Sequence, residues 1–204
     1  MTLKATILGC GSSGGVPRLG PTWGACDPEN PKNKRLRCSL LIEKKDLHGQ
    51  VSLLIDSSPD MRQQLLSVGC IHLDGVFFTH DHADHTHGID DLRMVAYAMK
   101  KKVSCYFNTE TRNSLRNRFS YCFVEQIDSG YRPIINENVI SNTSIVRIHG
   151  VNSSLDVQPI PQCHGEILSL GFRVGGLAYS PGISSLPEDS LPLLQNLDVR
   201  IVDA

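Results

Sequence analysis

Residues 79–85, with the sequence THDHADH, constrain the structure of the chain more than any other stretch. They carry three imidazoles and two carboxylates, and they follow a short apolar run that is typical of a buried strand. Side chains two residues apart on extended backbone point the same way, so we expect His80 and His82 to face one cation together. Asp84 and His85 come after a turn and should face a second cation beside the first. Imidazole and carboxylate together favour zinc, manganese or iron over calcium or magnesium.

This stretch has two interpretations. It is either a metal site or a polar, exposed loop whose histidines share no role. The density of ligand-type side chains directly after a strand favours the metal site. Asp81 is not needed as a ligand, and we expect its carboxylate to lie beside the metals as a base or a hydrogen-bond partner.

The pattern His80-X-His82-X-Asp84-His85 resembles the signature of the metallo-β-lactamase-fold hydrolases. Residues 8–18 (LGCGSSGGVPR) and 37–39 (RCS) are similar to the branch that contains the phosphoribosyl cyclic phosphate phosphodiesterases, and the resemblance runs along essentially the whole chain. The fold that the resemblance implies is an α/β four-layer αββα sandwich. The alternation of paired strands with helices independently predicts two sheets packed face to face, with helices outside.

The resemblance also implies roles for single residues. His164, which follows a predicted strand and precedes a turn, takes the place of the third imidazole on the first metal, while Asp84 and His85 belong to the second. Asp56, at the end of a strand on the same rim, is implied as a buried supporting residue. The implied reaction is hydrolysis of a phosphodiester by a metal-bound hydroxide, with Asp81 or Asp84 orienting the nucleophile.

Two family features have no counterpart in this sequence. Counting back from residues 186–188 (LPE) puts Gly182 where the family has an aspartate that bridges the metals. A later histidine on the second metal is also missing, so we expect the chain to be short at its C-terminus and to lack the final strand and helix region of the fold. The expected cofactor is Zn²⁺ or Mn²⁺ on His80, His82 and His164, with a weak or empty second site and activity that is weak or lost.

The glycine-rich loop at residues 9–14 fits the GxGxxG pattern of dinucleotide-binding proteins. Such a fingerprint opens a helix at once, whereas Pro17 and a further Gly-Pro pair follow here, so we reject that interpretation. We expect instead a tight loop near the metal cleft, where backbone N–H groups such as that of Gly14 hold a phosphate oxygen.

Residues 20–38 form a long irregular segment with several cations. It is either a solvated loop or a flap over the substrate, in which Arg35 and Arg37 are directed at phosphate. In the related phosphodiesterases closely spaced cysteines in this region hold a structural zinc. Only Cys26 and Cys38 are present here, with eleven residues between them, so we do not expect that zinc site.

Periodicity and turn signals predict the remaining elements. Strands are predicted at residues 4–8, 39–43, 51–56, 75–78, 103–107, 144–149, 155–160, 167–174, 177–180 and 198–203. Helices are predicted from Ser57 or Ser58 to Gly69, and at residues 88–100, 111–119 and 189–197. We expect Met61, Leu65 and Leu66 to form the buried stripe of the first helix. The arginines of the third helix (112, 116 and 118) face either solvent or the cleft, and we favour solvent. Residues 121–143 resemble an insertion or an edge hairpin.

Composition limits the class of protein. The 204 residues suffice for one domain over residues 1–204, although the expected short C-terminus makes it incomplete. A net charge of −1 gives no reason to expect strong nucleic-acid binding, and no apolar run approaches the ~20 residues of a membrane span. Seven scattered cysteines, an odd number, favour reduced thiols in the cytoplasm. An apolar face left bare by missing elements would favour a homodimer.

The predicted function is a metal-dependent hydrolase, most closely a phosphodiesterase acting on a small cyclic phosphate or a nucleotide-like ester. A non-catalytic remnant that binds metal or nucleotide without turnover is the alternative, and Gly182 is its support in the sequence. A tRNA-processing nuclease is disfavoured by the near-neutral charge.

Overall fold

The computed structural model describes residues 2–125 and 130–202, and within them eleven strands form two sheets. The six-stranded sheet has the order β1-β2-β3-β4-β5-β6 and comprises β1 (Thr2–Gly9), β2 (Ser39–Lys45), β3 (Gln50–Ile55), β4 (Gly75–Phe77), β5 (Val103–Phe107) and β6 (Ile135–Val139). The five-stranded sheet has the order β11-β10-β9-β8-β7 and comprises β7 (Val146–His149), β8 (Ser154–His164), β9 (Ile167–Val174), β10 (Leu177–Ser180) and β11 (Val199–Val202).

Helices occupy most of the connections in the first sheet. They are α1 (Met61–Val68), α2 (Ala83–Thr86), α3 (Leu92–Met99), α4 (Thr109–Arg118) and α5 (Ser120–Phe123). Short 3₁₀ helices cover Pro31–Asn33, Ile89–Asp91 and Glu188–Leu194, and the last of these replaces the predicted helix at residues 189–197. None of the helices in the described residues is long and apolar enough to cross a bilayer.

The core lies on both faces of the first sheet. Along β2, Leu40 and Ile42 face the second sheet while Leu41 faces the helices, as the two-residue period of a strand requires. Phe77 of β4 packs edge-on against Phe172 of β9, with ring centroids 5.2 Å apart. Each such side chain contributes about 1.5–3 kcal/mol when it is fully buried. The predicted pair of sheets packed face to face is confirmed, with helices on the outer face of the first sheet.

The carboxyl ends of β3, β4, β5 and β6 form one edge of the first sheet, and β2 begins at the same edge. Strands β3, β4, β5 and β6 run parallel, while β2 runs antiparallel to β3, so Ser39 at its start lies beside the end of β3. The Ser39 hydroxyl donates to the carbonyl oxygen of Asp56 at 2.9 Å. The second sheet joins the same edge, because the amide of Leu170 donates to the carbonyl oxygen of Thr79 at 2.8 Å.

Helix α1 differs from its prediction in its buried face. Leu66 is 65% exposed, whereas Gln64 is buried beside Met61 and Leu65. Positions 61, 64 and 65 share one helix face, while position 66 lies on the opposite side. The polar Gln64 is tolerated inside because its amide donates to the carbonyl oxygen of Arg37 at 2.8 Å.

Two further predictions of secondary structure were wrong. Within residues 121–143, the described part forms the end of α5 and the parallel edge strand β6, and not a hairpin, while residues 126–129 of that prediction lie outside the described residues. Strand β8 does not end at residue 160 but continues to His164, despite Pro159 and Pro161, and pairs with β9 over its whole end. This extension carries His164 to the rim of the site.

Candidate metal centre

Three imidazoles from two distant parts of the chain meet at this edge. His80 and His82 lie on the extended stretch after β4, and α2 begins directly after His82. His164 is the last residue of β8. The ring centroids of His80 and His82 are 4.6 Å apart, and that of His164 lies 5.0 Å from the first and 5.1 Å from the second. One ligand nitrogen from each ring lies within 4.8 Å of the others, so the three form a candidate metal site.

The surroundings of the buried His80 ring favour the neutral form, which can act as a metal ligand. It is 1% exposed, and its Nε2 is buried without a hydrogen-bond partner in the described residues. Burial, followed by the neighbouring imidazoles of His85, His82 and His164, lowers the pKa of His80 to about 2. The ring is therefore neutral near pH 7, as a metal ligand must be. An unpaired buried nitrogen is costly unless something binds it, which fits a divalent cation at this point.

The carboxylate of Asp56 orients the imidazoles of His85 and His80, the first by a direct hydrogen bond and the second through Thr79. Its carboxylate is fully buried and accepts from the amide and hydroxyl of Thr79, both at 2.9 Å, and from Nδ1 of His85 at 2.7 Å. Because the Thr79 hydroxyl donates to Asp56, its oxygen is left to accept from Nδ1 of His80, 2.9 Å away. This network assigns the protons of His80 and His85 to Nδ1 and turns Nε2 of both rings toward the cleft.

Asp84 and His85 lie together on α2, where the sequence predicted a second metal position. Nε2 of His85 is 3.4 Å from the nearer carboxylate oxygen of Asp84, and the rings of His80 and His85 are 4.3 Å apart. The role of this pair as ligands of a second metal stays a prediction. The pair supplies two ligand groups, which is fewer than a tightly held cation needs.

Gly182 lies directly against the ring of His80. A Cβ atom at this position would be 3.0 Å from Cε1 of His80, and the backbone has a φ of +56°, which suits glycine. The Ser169 hydroxyl donates to the carbonyl oxygen of Gly182 at 3.0 Å and fixes the segment over the site. The position that the sequence comparison assigned to a bridging aspartate is thus at the metal centre, but it offers no side-chain oxygen.

Asp81 points to helix α4. Its carboxylate accepts from the Ser114 hydroxyl at 2.5 Å and pairs with the guanidinium of Arg118. Arg118 is exposed, the favoured alternative, and it also contacts the metal motif, which is the other alternative. Arg112 and Arg116 are half-buried and pair with Glu137 on β6. The role of Asp81 as a base or orienting group stays a prediction.

The three candidate substrate-binding residues lie at one cavity. Gly14, Arg35 and Arg37 line a cavity of about 440 Å³ between the glycine-rich loop and the segment before β2. The sequence predicted that this loop does not open a helix, and residues 10–30 indeed contain no helix.

Comparison with known proteins agrees with this geometry. A sequence model of the beta-lactamase superfamily domain matches residues 52–204, well over half of the chain. A crystal structure of a diphosphatase from the PhnP family superimposes with a TM-score of 0.82 at 31% identity, over 98% of this chain and 73% of that one. The short form of human tRNase Z has a TM-score of 0.60 at 18% identity, over 98% of this chain and 76% of that one, and this likeness shows the fold alone.

A curated relative is much longer than this chain. An octanoyltransferase of Porphyromonas gingivalis (strain ATCC BAA-308 / W83) is 30% identical over 208 residues, which cover 98% of this chain and 39% of the relative. The chain therefore spans about two fifths of the length of that protein.

The two facing sheets and the three converging imidazoles define a protein of the metallo-β-lactamase fold with a candidate metal centre. With the family match over residues 52–204, the chain belongs to the metallo-β-lactamase superfamily, and its resemblance to the branch with the phosphoribosyl cyclic phosphate phosphodiesterases is supported by the PhnP-family diphosphatase.

Proposed function

We propose that this protein is a metal-dependent phosphodiesterase that hydrolyses a small cyclic phosphate or a nucleotide-like ester. The observation that carries the proposal is the group of His80, His82 and His164, whose ligand nitrogens lie within 4.8 Å of one another. The 31% identity to a diphosphatase supports phosphate esters as the substrate class. The free thiols of all seven cysteines support a cytoplasmic location.

The three histidines would hold Zn²⁺ or Mn²⁺ as neutral nitrogen donors. When bound, such an ion withdraws charge from a phosphoryl oxygen and lowers the pKa of water. Asp56 and Thr79 would keep the His80 ring in the orientation and tautomer that leave the lone pair of Nε2 for a cation. Asp84, with its carboxylate partly exposed beside His85, would accept a proton from the attacking water. Asp81, held by Ser114 and Arg118, would orient the loop that carries these groups.

The second metal position is proposed to be weak or empty. Asp84 and His85 are the two groups offered there, and Gly182 brings no carboxylate to reduce the repulsion between two cations. A two-metal enzyme stabilises both the attacking and the leaving oxygen, so a single ion implies slower turnover.

The matched variants Gly182→Asp and Gly182→Asn test this point. Both add the same Cβ, and both side chains tolerate a positive φ, but only aspartate adds a negative charge. We expect Gly182→Asp to bind more Mn²⁺ per chain than Gly182→Asn, by up to one equivalent, in equilibrium dialysis followed by elemental analysis. Equal metal content in the two variants would show that the missing carboxylate does not limit the second position.

A direct assay tests the proposed function. The purified chain is stripped with a chelator, reloaded with Zn²⁺ or Mn²⁺, and assayed with bis(p-nitrophenyl) phosphate. We expect about one metal ion per chain and hydrolysis that depends on the added metal. Absence of hydrolysis with either ion, in protein shown to be folded and loaded, contradicts the proposal.

The alternative is a domain that binds metal or nucleotide without turnover. Gly182 favours it, because this position beside the His80 ring lacks the carboxylate that the enzyme family carries. The same assay separates the two functions. Stoichiometric metal binding with no hydrolysis of any phosphate ester supports the non-catalytic domain.

A further inference from the structure

Helix α4 is fixed to the core and to the first sheet by two of its faces. Thr111 and Leu115 lie four residues apart, and therefore on one face of the helix, and both are buried. On a second face Arg112 and Arg116 pair with Glu137 of β6, with nitrogen–oxygen distances of 3.7 and 2.6 Å. The helix is therefore a rigid support for whatever its third face contacts.

The third face of α4 contacts the metal motif. The Ser114 hydroxyl donates to a carboxylate oxygen of Asp81 at 2.5 Å, and the guanidinium of Arg118 pairs with the same oxygen. Arg118 also donates to the hydroxyl oxygen of Ser114 at 2.5 Å. The three side chains form a closed network, and such a network restrains its members more than a single exposed ion pair does.

The network acts on the main chain between two of the candidate ligands. Neighbouring side chains on extended backbone point to opposite sides. The rings of His80 and His82 lie together at the metal centre, whereas the carboxylate of Asp81 lies against α4. Holding Asp81 therefore fixes the stretch of main chain that carries both imidazoles.

His82 depends on this main chain more than His80 does. The ring of His80 is buried, and its Nδ1 lies 2.9 Å from the hydroxyl of Thr79. The ring of His82 is exposed, and among the residues that the structure describes no group forms a hydrogen bond with it. Its carbonyl oxygen accepts from the Thr86 hydroxyl at 2.8 Å. The main chain at His82 is thus held from α2 on one side and, through Asp81, from α4 on the other.

We propose that Ser114 and Arg118 are positioning residues of the metal centre, which act through Asp81. They hold the main chain at His82 where its imidazole can bind a cation together with the other two. Asp81 is then the point at which the motif is attached to α4. The effect on metal binding rests on the proposed function, whereas the restraint on the motif can be measured without a metal.

Positioning and charge alone predict opposite effects of Arg118→Ala on metal affinity. Removing a cation near the site and leaving the Asp81 carboxylate without its arginine would tighten the binding of a divalent ion by charge alone. Loss of positioning weakens it, since removal of a supporting residue costs about 10–100-fold in metal affinity. We expect the Kd of Arg118→Ala for Zn²⁺ to rise at least about tenfold, measured by competition with a chelator on the metal-stripped full chain.

The matched control is Arg116→Ala. It removes an arginine and an ion pair from the same helix, but from the face that contacts Glu137. Its Kd for Zn²⁺ should equal that of the wild type, and Arg118→Lys, which keeps the charge, should recover most of the affinity. In a chain that already carries Asp81→Ala, adding Arg118→Ala should change the Kd less than about twofold, because the contact through which Arg118 acts is gone.

A second measurement uses the metal-free full chain. Amide hydrogen exchange reports local opening of the motif, in which the amides of His85 and His87 donate to the carbonyl oxygens of His82 and Ala83 at 3.1 and 2.9 Å. We expect these two amides to lose protection in Arg118→Ala but not in Arg116→Ala. The amides of β5 should keep their rates in both variants, which separates a local effect from a general loss of stability.

Three results would overturn the proposal. They are a Kd of Arg118→Ala for Zn²⁺ that is equal to or lower than that of the wild type, an equal loss of affinity in Arg116→Ala, and unchanged exchange of the motif amides in Arg118→Ala. A wild-type chain that binds no Zn²⁺ would contradict the proposed function instead. The exchange rates would then decide by themselves whether α4 restrains the motif.

Discussion

Replacing His82 with alanine is expected to lower metal-stimulated hydrolysis of bis(p-nitrophenyl) phosphate at least about 100-fold while leaving the fold intact. His82 is exposed, and its ring lies 4.6 Å from that of His80 and 5.1 Å from that of His164. Two imidazoles bind a divalent ion far more weakly than three, since loss of even a supporting residue costs 10–100-fold in affinity or activity. Elemental analysis should show a parallel fall in metal per chain.

The control for this experiment is His48→Ala. His48 is an exposed histidine in the turn between β2 and β3, outside the metal centre. We expect it to keep the metal content and turnover of the wild type, and both variants to keep its thermal unfolding profile after chelation. Wild-type metal content in His82→Ala would show that the ion, if one binds, is held elsewhere.

The metal centre was largely predictable because its ligands follow strand ends. The spacing of the motif after β4 indicates its geometry: the extended stretch places His80 and His82 together, and α2, which starts after His82, carries Asp84 and His85. Placing His164 beside them required the family resemblance, since no periodicity relates residue 164 to residue 80. The structure supplies the physical link, because β8 continues past two prolines to the same edge.

Long-range polar contacts are what the sequence did not reveal. Ser114 and Arg118 of α4 contact Asp81 across 33 and 37 residues, which the arginine pattern of α4 alone does not indicate. Thr79 was treated only as the start of the motif, although its hydroxyl links Asp56 to His80. A hydroxyl directly before the first histidine of such a motif is a signal that could have identified this link.

The errors in the fold have the same origin. Leu66 was predicted to be buried from its hydrophobicity, but the neighbouring polar Gln64 takes the inward position because Arg37 offers it a hydrogen-bond acceptor. Strand β6 was missed because Asn136, Glu137 and Asn138 have low strand propensity. Its parallel pairing with β5 and the ion pairs of Glu137 with α4 stabilise it nevertheless. In both cases tertiary contacts override the local preference.

Replacing Asp56 with alanine is expected to lower the free energy of unfolding by about 3–5 kcal/mol, the usual cost of removing one partner from a buried charged network. The substitution leaves the amide and hydroxyl of Thr79 and Nδ1 of His85 without an acceptor in a fully buried site. Asp56 also has a φ of +63°, a conformation that aspartate and asparagine tolerate better than alanine. Urea denaturation of the metal-free chain measures the change directly.

Two further variants separate the causes of this loss. Asp56→Asn keeps the left-handed backbone and one side-chain oxygen but removes the charge, so we expect a smaller loss than for alanine, together with weaker metal binding. Asp90→Ala removes an exposed carboxylate that pairs with Arg93, and we expect it to stay within about 1 kcal/mol of the wild type. Asp56→Ala that is as stable as Asp90→Ala would contradict this prediction. The carboxylate of Asp56 would then not hold Thr79 and His85 in place, and the orientation of Nε2 in His80 would need another cause.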